Sequence, residues 1–191
     1  MEEHIKAYTD SLSKALRLEA MQQVPLLCKS LRDAWQAGRC VYLCGNGGSA
    51  GNAIHLANDL IYGAGVRSNI GLRVEALSAN SAVLTCLAND IGYDEIYAAQ
   101  IRVKANRGDI LIALSGSGNS PNIVKALEAG NKLGMATFAI LGFNGGKCKG
   151  IAQHPIHFAI HDMQIAEDLQ LIVGHICMQW LCANPPGEST Q

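Results

Sequence analysis

Two glycine- and serine-rich segments hold the residue types that handle anions without a cationic side chain. In GSGNSP, just after an apolar run, Ser115, Ser117 and Ser120 place three hydroxyls within six residues. Gly116 and Gly118 let the backbone come close to a ligand. Ser120 suits a helix cap and Pro121 the first helical position. A helix N-terminus with free N–H groups favours phosphate. The segment lacks Lys and Arg, so binding there rests on hydroxyls, amides and the helix dipole. It also lacks the GK[ST] ending of a nucleotide-hydrolysing loop. GNGGS has a similar build: Asn46 offers an amide, and Ser49 can cap a following helix. It does not complete a dinucleotide fingerprint, which argues against NAD.

A second set of residues could move protons or hold a cation. His55 and Asp59 are four apart and share a helical face close to GNGGS, a spacing that suits a divalent metal. Taken alone, a surface hydrogen-bonded pair explains them as well. Glu167, Asp168 and His175 lie on the last apolar segment. His175 sits within LIVGHICM, where a hydrogen-bonded core histidine is the ordinary reading. His4, His154, His157 and His161 show no useful spacing.

The elements that must position these groups alternate. Residues 1–37 read as helix, with Pro25 dividing it and Gly38 ending it. Strands are expected at 40–44, 71–77, 109–114, 136–141 and 155–160. Helices are expected at about 50–62, 82–87, 93–104, 122–133, 148–152 and from Asp162, as cap, to about Cys182. Continuous apolar strands between helices imply a parallel sheet covered on both faces. Ligands in such sheets bind beyond the carboxyl ends of the strands, where both Gly/Ser segments fall.

The 191 residues suit one domain. A net charge of −1 gives no global pull toward nucleic acid or an anionic membrane. No apolar run reaches the roughly 18 residues of a membrane span. The charged N-terminus lacks a signal core, so the expectation is a cytoplasmic protein. Seven cysteines without a CxxC pair read as reduced thiols and not as a zinc site.

CGNGGSAGNAIHLANDL, CLANDIGYDE, ALSGSGNSPNIVKALEAG and DMQIAEDLQLIVGHICMQWL together resemble the phosphoheptose isomerases, within the sugar-isomerase (SIS) superfamily. The resemblance spans about residues 35–182. It implies a three-layer α-β-α sandwich with a five-stranded parallel sheet, a SIS domain (38–183) between the N-terminal helical segment (1–37) and a C-terminal tail (184–191) whose composition reads as disordered. It implies a homotetramer with active sites between subunits, and a sugar phosphate as the small-molecule partner. It further implies isomerisation of sedoheptulose 7-phosphate to glycero-manno-heptose 7-phosphate for bacterial surface heptose. Ser49, Ser115, Ser117 and Ser120 match phosphate-contacting serines. Asn46 and Asp90 match sugar-contacting positions. His55, Asp59, Glu167 and His175 match the metal-binding and acid–base set. Asp59 stands where the family has Glu, and Glu167 where it has Gln; both keep oxygen ligands.

The chemistry expected is proton transfer between adjacent carbons through an enediol. Asp59 and His175 take the acid–base roles, and Zn²⁺ held by His55 with carboxylate help polarises the carbonyl. One geometric difficulty stands. Residues 167 and 175 lie about 12 Å apart along an ideal helix. Either the helix starts after Glu167, or the two serve different sites. The rivals are a non-catalytic SIS regulator, such as a replication-initiator-associating type, and an isomerase of another sugar phosphate.

Overall fold

The computed structural model describes residues 1–66 and 70–187. Helices α1 (Glu2–Ala15) and α2 (Val24–Gln36) precede the first strand. The division between them lies over residues 16–23, not at Pro25 as expected. Pro25 instead occupies the first turn of α2, where its missing N–H costs nothing. Strands β1 (Cys40–Cys44), β2 (Arg73–Ala76), β3 (Ile110–Ser115), β4 (Ala136–Leu141) and β5 (His154–His157) then alternate with helices. These are α3 (Gly48–Asn58), α4 (Ser81–Ile91), α5 (Ile96–Lys104), α6 (Pro121–Leu133), α7 (Gly146–Ile151) and α8 (Met163–Ala183).

The sheet is parallel throughout, in the order β2-β1-β3-β4-β5. Side chains alternate between two cores. Val41, Leu43, Ile110, Ile112 and Leu114 point toward α2, α3 and α8. Tyr42, Cys44, Leu111 and Ala113 point toward α5, α6 and α7. Each fully buried Leu or Ile contributes roughly 1.5–3 kcal/mol relative to exposure. Both faces are therefore covered, as the unbroken apolar strands required. Ala15, Val24, Leu27, Leu31 and Trp35 join the first core, so α2 packs as part of the same body.

Several boundaries differ from the sequence reading. β5 ends at His157, three residues early, and Pro155 is tolerated because β5 is an edge strand. The helix read at 93–104 opens as a 3₁₀ turn (Tyr93–Glu95) before α5. The helix read at 82–87 is longer, because the Asn80 side chain accepts from Val83 N and caps α4. Residues 184–187 lack regular structure; the rest of the expected tail, 188–191, lies outside the described residues. All seven cysteines are free thiols. No described helix is long and apolar enough to cross a membrane.

Candidate active site

The strand order reverses between β1 and β3: the chain leaves β1 toward β2 on one side, and leaves β3 toward β4 on the other. Loops leaving such neighbours diverge and open a crevice at the carboxyl edge. Here they are GNGGS and GSGNSP. Asn46, Gly47, Gly48, Ser49, Leu114, Ser115, Gly116, Ser117, Ser120, Met163 and Glu167 line a cavity of about 310 Å³ between them. A larger cavity of about 470 Å³ lies between α5 and α6, and none of the expected site residues lines it.

Local hydrogen bonds shape the serine loop. Ser115 Oγ accepts from Gly118 N at 3.0 Å, and Ser117 Oγ accepts from Asn119 N at 3.2 Å. Gly118 has φ +66°, and a Cβ there would run into the Gly145 carbonyl. The loop thus sits against the β4–α7 turn, where Cys148 N donates to Gly118 O and Lys147 N to Asn119 Oδ1. Ser120 stands at the N-cap of α6 with extended backbone, but its side chain makes no capping bond. Ser49 is buried in the first turn of α3, following Gly47 at φ +56°.

The cation-type residues gather elsewhere on the same helices. His55 Nε2 lies 2.9 Å from His175 Nε2, and Asp59 Oδ2 lies 3.4 Å from each. His55 and His175 are partly exposed; Asp59 is mostly covered. α3 gives way to a single π turn over Asp59–Gly63, so Asp59 leaves the helix where the backbone widens. α8 comes close to α3 at Gly174, where a Cβ would strike the Leu56 side chain. That contact lets His175 reach His55.

These distances test whether a metal fits. A tetrahedral Zn²⁺ with ligands at about 2.0–2.1 Å sets its ligand atoms roughly 3.3–3.4 Å apart. The three atoms form nearly that triangle, and two imidazoles with one carboxylate are a donor set zinc accepts. The residues therefore could hold a metal.

Glu167 does not join this triangle. α8 starts at Met163, with Asp162 Oδ1 accepting from Ile165 N, so the idea that the helix begins after Glu167 is overturned. Glu167 lies instead against Gly48, where a Cβ would meet its carboxylate. Between the two places, Asn52 Nδ2 donates to Glu167 O and Gln170 Oε1, both at 3.0 Å. Gln170 is buried, and its Nε2 finds no partner among the described residues. Asp168 accepts from the Tyr8 hydroxyl at 2.5 Å, which ties α1 to α8 and pushes the phenol up to about 12. Asp90 lies exposed on α4, away from the cavity lining; its hydrogen bond raises the Cys86 thiol.

Comparison with known proteins follows the geometry. A family model described as SIS domain matches residues 3–142. The phosphoheptose isomerase of Helicobacter pylori (strain P12) is 36% identical over 173 residues, covering 89% of this chain and 88% of the relative. The chain belongs to the phosphoheptose isomerase family of SIS-domain proteins. Within this family, the phosphoheptose isomerase of Pelodictyon phaeoclathratiforme (strain DSM 5477 / BU-1) is 36% identical over 171 residues, covering 88% of this chain and 73% of the relative. The fold matches the solved structure of phosphoheptose isomerase GmhA from Neisseria gonorrhoeae with TM-score 0.86 at 24% identity, over 95% of this chain and 98% of that one.

Sequence reasoning passed over Gly174, Asn122 and Tyr93. A glycine inside a helix costs about 1 kcal/mol against alanine, so Gly174 was a legible signal of close packing. Asn122 and Tyr93 gave none, because their roles depend on which loops become neighbours.

Proposed function

We propose that the chain isomerises sedoheptulose 7-phosphate to the corresponding aldose phosphate. The observation that carries this is the pairing of a hydroxyl- and amide-lined anion cavity, bordered by the first turns of α3 and α8, with a His/Asp/His cluster farther along the same two helices. Ser49, Ser115, Ser117 and Ser120 hold the phosphate, aided by the α6 N-terminus. Asn46 contacts the carbon chain, and fixing that chain turns proton transfer into a positioned step.

His55, Asp59 and His175 would hold a divalent ion, Zn²⁺ in this reading, through Nε2, Oδ2 and Nε2. Bound there, it would supply Lewis-acid polarisation of the substrate carbonyl. A ring nitrogen engaged as ligand cannot also carry a proton, so with the ion bound His175 would serve chiefly as ligand and Asp59 would be left to move protons through its other oxygen. Without the ion, both residues are free for acid–base work. Glu167 lines the cavity and is the second carboxylate within reach of a bound sugar chain.

The protein acts as a cytoplasmic homotetramer in this reading, with the site completed between subunits. Helix α4 supports it: SAVLTCLANDI is largely apolar, yet none of its residues is buried within one chain. Asp90 sits on that helix, so a subunit covering α4 would bring Asp90 into a shared site. Light scattering showing a stable monomer at micromolar concentration would contradict the assembly.

The test of function is incubation with sedoheptulose 7-phosphate, with and without chelator. Aldose should form, chelation should stop it, and added Zn²⁺ should restore it. Phosphate binding without aldose formation would instead favour a SIS regulator.

A further inference from the structure

Asn46 lines the cavity, but its amide is already mostly engaged. Its Nδ2 donates to Asn122 Oδ1 at 2.8 Å, and Asn122 Nδ2 donates back to Asn46 Oδ1 at 2.8 Å. The Tyr93 hydroxyl donates to the same Oδ1 at 3.1 Å. A side-chain amide has two N–H donors and two acceptor lone pairs. Both lone pairs of Asn46 Oδ1 and one of its N–H groups are spent. One N–H remains for a ligand.

The partners are themselves held. Asn122 is 1% exposed, in the first turn of α6 directly behind the serine loop. Lys125, one turn further on, pairs with Asp94 at 2.5 Å and Glu95 at 2.8 Å, fixing the Tyr93–Glu95 turn against α6. The buried Tyr97 hydroxyl donates to Gly45 O, next to Asn46 in the chain. The first turns of α5 and α6 therefore clamp GNGGS from one side. A buried amide deprived of its partner bears the full cost of desolvation, so the reciprocal pair resists rotation.

We infer that Asn122 is a positioning residue, with Tyr93 assisting, that holds Asn46 as a donor only. Asn46 then presents a single N–H to an acceptor oxygen of the ligand, a carbonyl or a developing alkoxide. The kinetic part rests on the isomerase reading; the positioning itself does not.

Asn122→Asp tests it. Aspartate has the same shape and still accepts from Asn46 Nδ2, but it cannot donate to Asn46 Oδ1. In the ligand-free protein, the two Asn46 side-chain proton signals in NMR should be well separated and slowly exchanging. In Asn122→Asp they should broaden and exchange faster with solvent. Turnover should fall by about tenfold, less than the roughly hundredfold or more of removing an aligned donor outright because Asn46 is loosened and not lost, with KM and inorganic phosphate affinity within about twofold of wild type. In an Asn46→Ala background, Asn122→Asp should lower turnover no further. Tyr93→Phe alters an exposed ring and leaves the core alone; it should perturb the Asn46 signals and cut turnover about twofold. An equal turnover loss with and without Asn46 would overturn the inference. So would a fall in melting temperature and phosphate affinity with turnover unchanged. Should wild type convert no ketose phosphate, the functional reading falls while the NMR arm still decides: unchanged Asn46 signals in both variants would overturn the positioning.

Discussion

The serine cavity and the His55–Asp59–His175 triangle both border α3 and α8 yet are built differently. The cavity is shaped by loop backbone. Its loops leave adjacent strands, bond to themselves, and press against the β4–α7 turn. The triangle is side chains alone, brought together where α8 meets α3 at Gly174 and Leu56. The first site depends on sheet topology, the second on how closely two helices approach. Disturbing the helices should therefore damage the metal and spare the phosphate, and disturbing the loops should do the reverse.

The largest effect is expected at the triangle. His175→Gln removes an imidazole ligand and with it the Lewis acid, so turnover should fall by roughly a hundredfold or more. Bound zinc, read by elemental analysis, should fall with it, and inorganic phosphate affinity should stay near wild type. Full activity in this variant and in Asp59→Asn would break the assignment. Next comes the mirror experiment. Replacing Ser115, Ser117 and Ser120 together by Ala should weaken sugar-phosphate binding by about tenfold or more in calorimetry, with zinc content unchanged. Ser115 also accepts from Gly118 N, so part of the loss arises from a looser loop. Unchanged affinity would show that the anion sits elsewhere.

This division explains what could be read in the sequence. DILIALSGSGNSP announced a strand, a hydroxyl-rich turn and a helix within one local window, and β3 and α6 follow it closely, although Ser120 takes the N-cap position without a capping bond. His55 and Asp59 were likewise local, four residues apart. The approach of His175 was not, because 120 residues separate it from His55. The reciprocal Asn46–Asn122 pair was equally out of reach, since it depends on β1 and β3 becoming neighbours. The separation of Glu167 from His175 was local and legible, because their spacing along one helix already left two sites open as an alternative. Eight residues along one helix carry Glu167 to the cavity end of α8 while His175 stays at the triangle.

Gly174→Ala probes the helix contact directly. The added methyl meets Leu56, which is itself buried, so α8 and α3 must separate slightly. Overpacking costs about 1–3 kcal/mol, and replacing a helical glycine returns about 1 kcal/mol. Net stability should change by less than about 2 kcal/mol. Zinc affinity should still drop, by up to about tenfold, since the triangle tolerates little displacement. A variant that keeps zinc affinity would mean His175 reaches His55 without that close packing.

The smallest effect sharpens the comparison most, because it sets the two regions against each other. Glu167 puts a carboxylate on the wall of a cavity whose serines receive an anion. Ionised, it repels phosphate across partly open space, where such a pair is worth roughly 0.5–1 kcal/mol. Glu167→Gln keeps shape and hydrogen-bonding capacity while removing that charge. Inorganic phosphate should therefore bind about threefold tighter, most visibly at low salt, where screening is weakest. Turnover should move the other way if Glu167 passes protons along the sugar chain. Tighter phosphate binding with full turnover would confine Glu167 to electrostatics and leave proton transfer to Asp59. Weaker phosphate binding would mean that the carboxylate orders the GNGGS loop through its contact with Gly48, and that this ordering outweighs the repulsion.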